Sequence, residues 1–234
     1  MPDQSVAEQL IEAKPGYALA AKAMQLMEAW RSASPVPEGS ALALALVTAA
    51  RVQDRRATER TDVVISGPGS DSVPLRLTSA AITELIRDCQ ESLLIVSFAA
   101  FGVGDVIREL KLAASRDVSI DLVLETTAAS GGTLHGTTEA SAAFNAIRSN
   151  ATFWVWPADR RPIVNGSRAA LHAKLLVADK RVALVGSANL TDKALASNLE
   201  LGVIIRDPNV VQRIDRHFRS LMHPGVRILQ RVST

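Results

Sequence analysis

Short apolar runs alternate with helix-like segments from about residue 61 onward, and this alternation constrains the fold most strongly. Residues 93–99 (LLIVSFA) and 118–124 (VSIDLVL) are predicted buried strands, and residues 104–115 between them are a predicted helix. Strands that alternate with helices form a sheet covered by helical layers. We therefore expect an α/β domain.

The first 57 residues have a different texture, because they are rich in Ala and Leu. Residues 18–30 and 41–52 are predicted helices, since both residue types are strong helix formers. Ser5 and Glu8 have the spacing of a capping box for an earlier helix. The expected organisation is a helical N-terminal region at residues 1–57 and an α/β domain at residues 61–234.

Composition excludes several classes of protein. The chain is 47% hydrophobic and 21% charged with a formal net charge of +2, so we expect a packed core rather than a disordered or strongly basic chain. The single cysteine, Cys89, excludes an intramolecular disulfide and a cysteine-rich zinc site. No segment resembles a signal peptide or a bilayer span, so a cytoplasmic protein without membrane contact is expected.

The segment LHAKLLVADKRVALVGSAN, residues 171–189, contains the residues best suited to chemistry. His172 and Lys174 are two apart in a predicted strand, so their side chains should project from the same face. Residues 171–177 and 182–185 are predicted to form a hairpin, which would return the following loop to this point.

That loop supplies further polar groups. Asp179 opens the predicted turn, and Ser187 and Asn189 follow the second strand. An imidazole can act as nucleophile or as acid and base, and an ammonium and an amide can bind phosphoryl oxygens. No carboxylate cluster is evident, so neither a metal nor another cofactor is expected.

The spacing H-x-K-x4-D-x6-G-S-x-N resembles the signature of the phospholipase D superfamily, and the resemblance covers about residues 61–234. It implies an α/β/α sandwich with a mixed sheet. A helical preface followed by one such motif also resembles the phospholipase D-like component of DISARM anti-phage systems.

The resemblance assigns a role to each motif residue. His172 would attack phosphorus to form a phosphohistidine, and Glu200 would fix the tautomer of its ring. The remaining residues would bind phosphoryl oxygens or support the site. The implied catalytic set is His172, Lys174, Asn189, Ser187, Asp179 and Glu200.

Catalysis in this superfamily requires two motifs, because a second histidine protonates the leaving group. This chain contains one, since none of its other histidines is followed by Lys two residues later. The second motif is therefore expected from another copy of the chain across a two-fold axis. His135, in a Gly-rich loop, is expected to be a solvated residue or part of a flexible lid.

The preferred function is a metal-independent phosphodiesterase, a nuclease acting on DNA in bacterial defence, where partner proteins would be expected. Arg160, Arg161 and Arg168 would contact the nucleic-acid backbone. The alternatives are a phospholipid phosphodiesterase or phosphatidyl transferase, and a catalytically silent nucleic-acid-binding or assembly subunit. An exposed apolar face on residues 1–57 would favour the last of these.

Two further sets of side chains have structural interpretations. Trp154 and Trp156 share one strand face and are expected to pack in the core or an interface, with base stacking as the alternative. Arg213, Arg216 and Arg219 are expected to form the exposed face of the last helix.

Overall fold

The computed structural model describes residues 17–58, 61–69, 72, 74–136 and 138–232. The chain divides into two compact units, residues 1–57 and residues 58–234. None of the described helices is both long enough and apolar enough to cross a membrane.

The described residues of the first unit form two helices, α1 (Tyr17–Ser32) and α2 (Gly39–Thr58), which confirms the expected helical N-terminal region. Met27 of α1 is buried in this unit, and the Trp30 indole Nε1 donates to the carbonyl oxygen of Pro37 at 2.8 Å. That hydrogen bond fixes the connection between the helices. The expected capping box at Ser5 and Glu8 lies outside the described residues.

The described residues of the second unit form strands and four further α-helices. The strands are β1 (Thr61–Ser66), β2 (Arg76–Leu77), β3 (Ser92–Ser97), β4 (Ala100–Phe101), β5 (Ser119–Leu124), β6 (Thr152–Val155), β7 (Ile163–Val164), β8 (Ser167–Arg168), β9 (Leu175–Ala178), β10 (Val182–Gly186), β11 (Leu190–Thr191), β12 (Glu200–Ile205) and β13 (Gln230–Arg231). The helices are α3 (Thr78–Asp88), α4 (Gly104–Ala114), α5 (Asp192–Ala196) and α6 (Pro208–Met222), with a 3-10 helix at Ala140–Ile147.

Nine of these strands form one mixed sheet in the order β13-β6-β5-β3-β9-β10-β12-β1-β2. The β3, β5 and β6 strands are parallel, while β9 is antiparallel to both β3 and β10. Two small sheets pair β11 with β4 and β7 with β8. The expected α/β class with a mixed sheet is confirmed.

The alternation of side chains along β3 divides the core into two layers. Leu93 and Ile95 pack with α3, α4 and the 3-10 helix, and Leu94 and Val96 pack on the opposite face with α6. The sheet is therefore covered by helices on both faces, as an α/β/α sandwich requires.

Polar contacts attach α6 to the sheet. The Arg219 guanidinium donates to the carboxylates of Asp121 on β5 and Asp215 on α6. The expectation that Arg219 lies on an exposed face is therefore wrong, whereas Arg213 and Arg216 are exposed. In an α-helix, residues three apart differ in direction by about 60°, so three such residues spread over about 120° of the helix surface. One of the three therefore faces the sheet.

Candidate active site

The two central motif residues precede β9 rather than lying within it. The strand begins at Leu175, so His172 and Lys174 belong to an irregular segment, contrary to the expected strand. Their side chains nevertheless meet, because Lys174 Nζ lies 2.8 Å from His172 Nδ1 and also donates to the His172 carbonyl oxygen at 2.8 Å. His172 is exposed, whereas Lys174 is only 8% exposed.

An aromatic ring completes this contact. The antiparallel register that pairs Val96 with Leu175 brings Phe98, just beyond β3, beside the irregular segment. The Phe98 ring centroid lies 5.1 Å from that of His172, and Lys174 Nζ lies 5.6 Å from the Phe98 centroid. Sequence reasoning missed Phe98, although its position at the end of a buried strand was a usable signal.

The β10 strand ends at Gly186, which lies beside Lys174. The backbone amide of Gly186 donates to the Lys174 carbonyl oxygen at 3.2 Å. A β-carbon on Gly186 would lie 2.9 Å from the carbonyl oxygen of Leu201, so the close approach of β10 and β12 requires glycine here. The motif glycine therefore permits the strand pairing that carries the next two polar residues.

These two residues are Ser187 and Glu200. The Ser187 hydroxyl donates to Glu200 Oε2 at 2.5 Å, and the Asn198 side-chain amide donates to Glu200 Oε1 at 3.2 Å. The expected contact from Glu200 to the His172 ring is replaced by the contact between His172 and Lys174. Glu200 instead acts on Lys174, because its negative charge favours the charged ammonium.

Burial and charge oppose each other at Lys174. Burial lowers the pKa of its ammonium below the ordinary value, and the nearby Glu200 carboxylate partly offsets this effect. The net result is a lowered pKa. A buried cation beside an exposed imidazole is a suitable binding point for an anion such as a phosphodiester.

Asn189 lies between β10 and β11. The next residue, Leu190, donates its backbone amide to the Ser97 hydroxyl at 3.2 Å and pairs with Ala100 of β4. Ser97 immediately precedes Phe98, which contacts His172. Asn189 Oδ1 is buried, and no donor among the described residues reaches it. The Asn189 side-chain oxygen thus retains unused hydrogen-bonding capacity.

Asp179 is a motif residue that the structure does not bring to this group. It follows β9, at the opposite end of the strand from His172. Its carboxylate accepts hydrogen bonds from the backbone amides of Gln90, Glu91 and Ser92 and from the thiol of Cys89. This geometry supports a role in the turn rather than in the chemistry.

The three arginines expected to bind substrate differ in their surroundings. Arg161 forms an ion pair with Glu125 in which both side chains are completely buried, so its guanidinium is not available to a phosphate. Its inclusion among the substrate contacts is therefore wrong. Arg160 is half-buried and donates to the Arg227 carbonyl oxygen at 2.6 Å, and Arg168 is exposed on β8.

The two tryptophans and His135 lie outside the group around His172. Trp154 and Trp156 pack beside the core layer of α6, and their indole nitrogens donate to Asp121 and to the Arg160 carbonyl oxygen. His135 is exposed in its loop. Across the described part of the chain, no three His, Cys, Asp or Glu side chains are grouped to hold a metal ion.

Comparison with known families and curated proteins gives two matches. Residues 82–222 match the family described as cardiolipin synthase, phospholipase D-like domain. The DISARM protein DrmC of Bacillus paralicheniformis is 26% identical over 153 residues, which span 65% of this chain and 59% of that protein. The aligned region thus spans less than two thirds of the curated relative.

Solved structures support the fold. Nuc from Salmonella typhimurium, a phospholipase D family member, has a TM-score of 0.51 at 21% identity, covering 75% of this chain and 99% of that one. NucT from Helicobacter pylori has a TM-score of 0.50 at 15% identity, covering 60% and 84%. Phosphatidylserine synthase from Haemophilus influenzae Rd KW20 has a TM-score of 0.51 at 11% identity, covering 74% and 40%.

Proposed function

The chain belongs to the phospholipase D-like family, and from this premise we propose that it is a metal-independent nuclease with a histidine nucleophile. The observation that carries the proposal is the contact between the exposed His172 ring and the buried Lys174 ammonium, at 2.8 Å. An imidazole that can attack phosphorus and a cation that can bind the phosphoryl oxygens are thereby adjacent.

The proposed reaction has two steps. In the first, His172 Nε2 attacks phosphorus, a P–N bond forms, and the P–O bond to the leaving group breaks. The leaving oxygen takes a proton from His172 of a second copy of the chain. In the second, water attacks phosphorus, the P–N bond breaks, and the proton released by water passes to that second histidine.

Substrate binding would prepare His172 for attack. In the free protein the Lys174 ammonium can donate to Nδ1, which places the proton of a neutral ring on Nε2. A bound phosphate attracts Lys174 Nζ, so Nδ1 becomes free to hold the proton and Nε2 presents its lone pair. Asn189 and Ser187 would supply further contacts to the phosphoryl oxygens.

Similarity to the DISARM protein DrmC supports a role in a defence system. On this basis we propose nucleic acid, and DNA in particular, as the substrate. Arg168, exposed on β8, and the half-buried Arg160 remain candidate contacts to the nucleic-acid backbone. We propose that the protein acts in the cytoplasm with defence-system partners.

A second function is favoured for the helical unit. Among the described side chains of α2, four large apolar ones are exposed: Leu44 at 70%, Val47 at 49%, Val52 at 46% and Leu46 at 43%. Apolar side chains concentrated on one helix and left uncovered are typical of a surface that binds protein. An assembly role for this unit is compatible with an active nuclease unit.

Cleavage assays with purified protein test the proposed nuclease activity. Wild type, His172→Ala and the loop control His135→Ala would be incubated with labelled single- and double-stranded DNA, with RNA and with phospholipid vesicles, each with and without chelator. We expect wild type and His135→Ala to cleave DNA equally in either condition, and His172→Ala to be inactive. Activity on phospholipid alone, or strict dependence on added metal, would contradict the proposal.

A further inference from the structure

A buried ion pair lies directly behind the segment that carries the proposed nucleophile. Glu125 follows β5 and Arg161 lies in the chain that leads to the motif, and both side chains are completely buried. Arg161 Nη1 donates to Glu125 Oε2 at 2.8 Å, and Nη2 donates to Oε1 at 2.5 Å. This bidentate geometry is the strongest form of the arginine–carboxylate contact.

The same two side chains hold the backbone that enters the active site. Glu125 Oε2 accepts from the backbone amide of Leu171 at 2.7 Å, and Arg161 Nη1 donates to the carbonyl oxygen of Ala169 at 3.0 Å. The guanidinium also donates to the Trp156 carbonyl oxygen, from Nε at 2.8 Å and from Nη2 at 2.7 Å. All five guanidinium donors are therefore used.

This attachment matters because the sheet does not yet hold the chain at this point. The β9 strand begins at Leu175, so the backbone around His172 precedes the regular ladder between strands. The pair fixes Ala169 and Leu171, and Leu171 immediately precedes His172. A buried pair with bidentate geometry is a rigid support for such a segment.

We propose that Glu125 and Arg161 are positioning residues that hold His172 in the orientation required for attack on phosphorus. This inference rests on the proposed function, in which His172 is the nucleophile. Burial by itself would raise the pKa of Glu125, but hydrogen bonds from Arg161, Leu171 and Thr126 lower it, so the carboxylate is charged at neutral pH.

The chain offers a control for removal of an arginine from a buried carboxylate. Arg219 pairs with Asp121, which lies on β5 four residues before Glu125, and this pair attaches α6 rather than the motif segment. Arg161→Met and Arg219→Met both remove an arginine from a buried carboxylate. A double variant, Glu125→Met with Arg161→Met, removes both charges and guards against misfolding, because apolar pairs often replace buried ion pairs without loss of stability.

Kinetics on bis(p-nitrophenyl) phosphate, measured well below each melting temperature, separate positioning from stability. We expect Arg161→Met and the double variant to lower kcat by about 100-fold with KM little changed, as for a displaced catalytic group. Arg219→Met should lower the melting temperature while keeping the kcat of wild type. Equal kcat losses in Arg161→Met and Arg219→Met at equal losses of melting temperature would overturn the proposal.

A second readout is independent of activity. Nitrogen NMR of the His172 ring reports which nitrogen carries the proton, and we expect this signature to change in the double variant and not in Arg219→Met. If wild type hydrolyses no phosphodiester, the proposed function fails and this spectrum alone decides the positioning role. An unchanged His172 spectrum in the double variant would then reject it.

Discussion

Lys174 places a positive charge where the fold gives it little access to water. Its side chain is buried beside His172 and Phe98, and burial lowers its pKa while the Glu200 carboxylate partly offsets that effect. Keeping such a group charged is unfavourable for folding and useful for binding a phosphate. This combination is typical of functional sites, where stability and activity compete.

The lowered pKa of Lys174 predicts an alkaline limit to activity. The ammonium proposed to bind phosphate is present below its pKa, so kcat/KM should fall as pH rises through a value below the ordinary 10.5. Glu200→Gln removes the charge that raises the pKa of Lys174. The alkaline limb of the kcat/KM profile should therefore lie at lower pH in this variant than in wild type. A pH profile of kcat/KM checks this, and an unshifted limb in Glu200→Gln would show that another group sets the limit.

Replacement of Lys174 by Met should separate activity from stability. We expect Lys174→Met to be inactive and to melt at or above the temperature of wild type, because it removes a desolvated charge. Because folding lowers the pKa of Lys174, the unfolded chain holds this proton more tightly than the folded protein does. The stability of wild type therefore rises with pH between the folded-state and unfolded-state pKa values of Lys174. The stability advantage of Lys174→Met should therefore shrink as pH rises towards 10.5.

Calorimetry at several pH values provides that measurement. Folded protein that lacks activity would agree with a role for Lys174 in chemistry. A large loss of stability at neutral pH would instead mean that the ammonium supports the fold.

At the scale of elements, the β9–β10 hairpin is fastened at its turn by Asp179. The carboxylate accepts hydrogen bonds from the backbone amides of Gln90, Glu91 and Ser92, which lead into β3, and from the thiol of Cys89. Burial and the hydrogen bond to Asp179 raise the pKa of Cys89 to about 12. Burial would raise the pKa of Asp179, but these hydrogen bonds lower it below its ordinary value.

Asp179→Asn should therefore reduce stability and leave chemistry intact. Loss of hydrogen bonds to a charged group should lower the free energy of unfolding by about 2 kcal/mol. Because the pKa of Asp179 is lowered in the folded protein, its carboxylate stabilises the fold at pH values above the pKa of the unfolded chain. This contribution is lost as pH falls through the folded-state pKa. The difference in stability between Asp179→Asn and wild type should therefore vanish in acid. Urea unfolding and kcat per folded molecule check this against the exposed control Asp88→Asn. Loss of kcat without loss of stability would instead support a role for Asp179 in the proposed chemistry.

At the scale of the whole molecule, the proposed chemistry requires two histidines and the motif supplies one. His217 lies on the exposed side of α6, and His135 is exposed in its loop. Two copies of His172 at one phosphate would differ in protonation, because a neutral ring attacks and a charged ring donates. A symmetric dimer can supply this difference without a second sequence.

Mixed dimers test the shared site. Wild type and His172→Ala would be mixed equally and exchanged under mild denaturation, with exchange and dimer size confirmed by mass. A shared site predicts about one quarter of the wild-type activity, because about one quarter of random pairs carry two intact chains. Activity near one half would indicate independent sites and make His135 the first candidate for the second acid.

The division into two units predicts that residues 58–234 fold without the helical unit. We expect this fragment to show a cooperative thermal transition close to that of the full chain and to retain phosphodiesterase activity. Circular dichroism and kcat compare the two forms. Failure of the fragment to fold would mean that residues 58–234 depend on the helical unit for their fold.

The sequence by itself determined the α/β class and the position of the motif. Both depend on local patterns, since apolar periodicity selects strand or helix, and His172 and Lys174 are close in the chain whatever the fold. Their side chains met as expected even though β9 begins at Leu175. Short-range spacing is therefore sufficient for that contact.

Only the tertiary structure decided which charges are free and which are occupied. Arg161 looked like a phosphate ligand, but it is paired with Glu125, 36 residues earlier in the chain. Asp179 belongs to the motif, but the backbone of Glu91, 88 residues earlier, is among its partners. A buried charge needs partners, and sheet order rather than sequence distance brings those partners together.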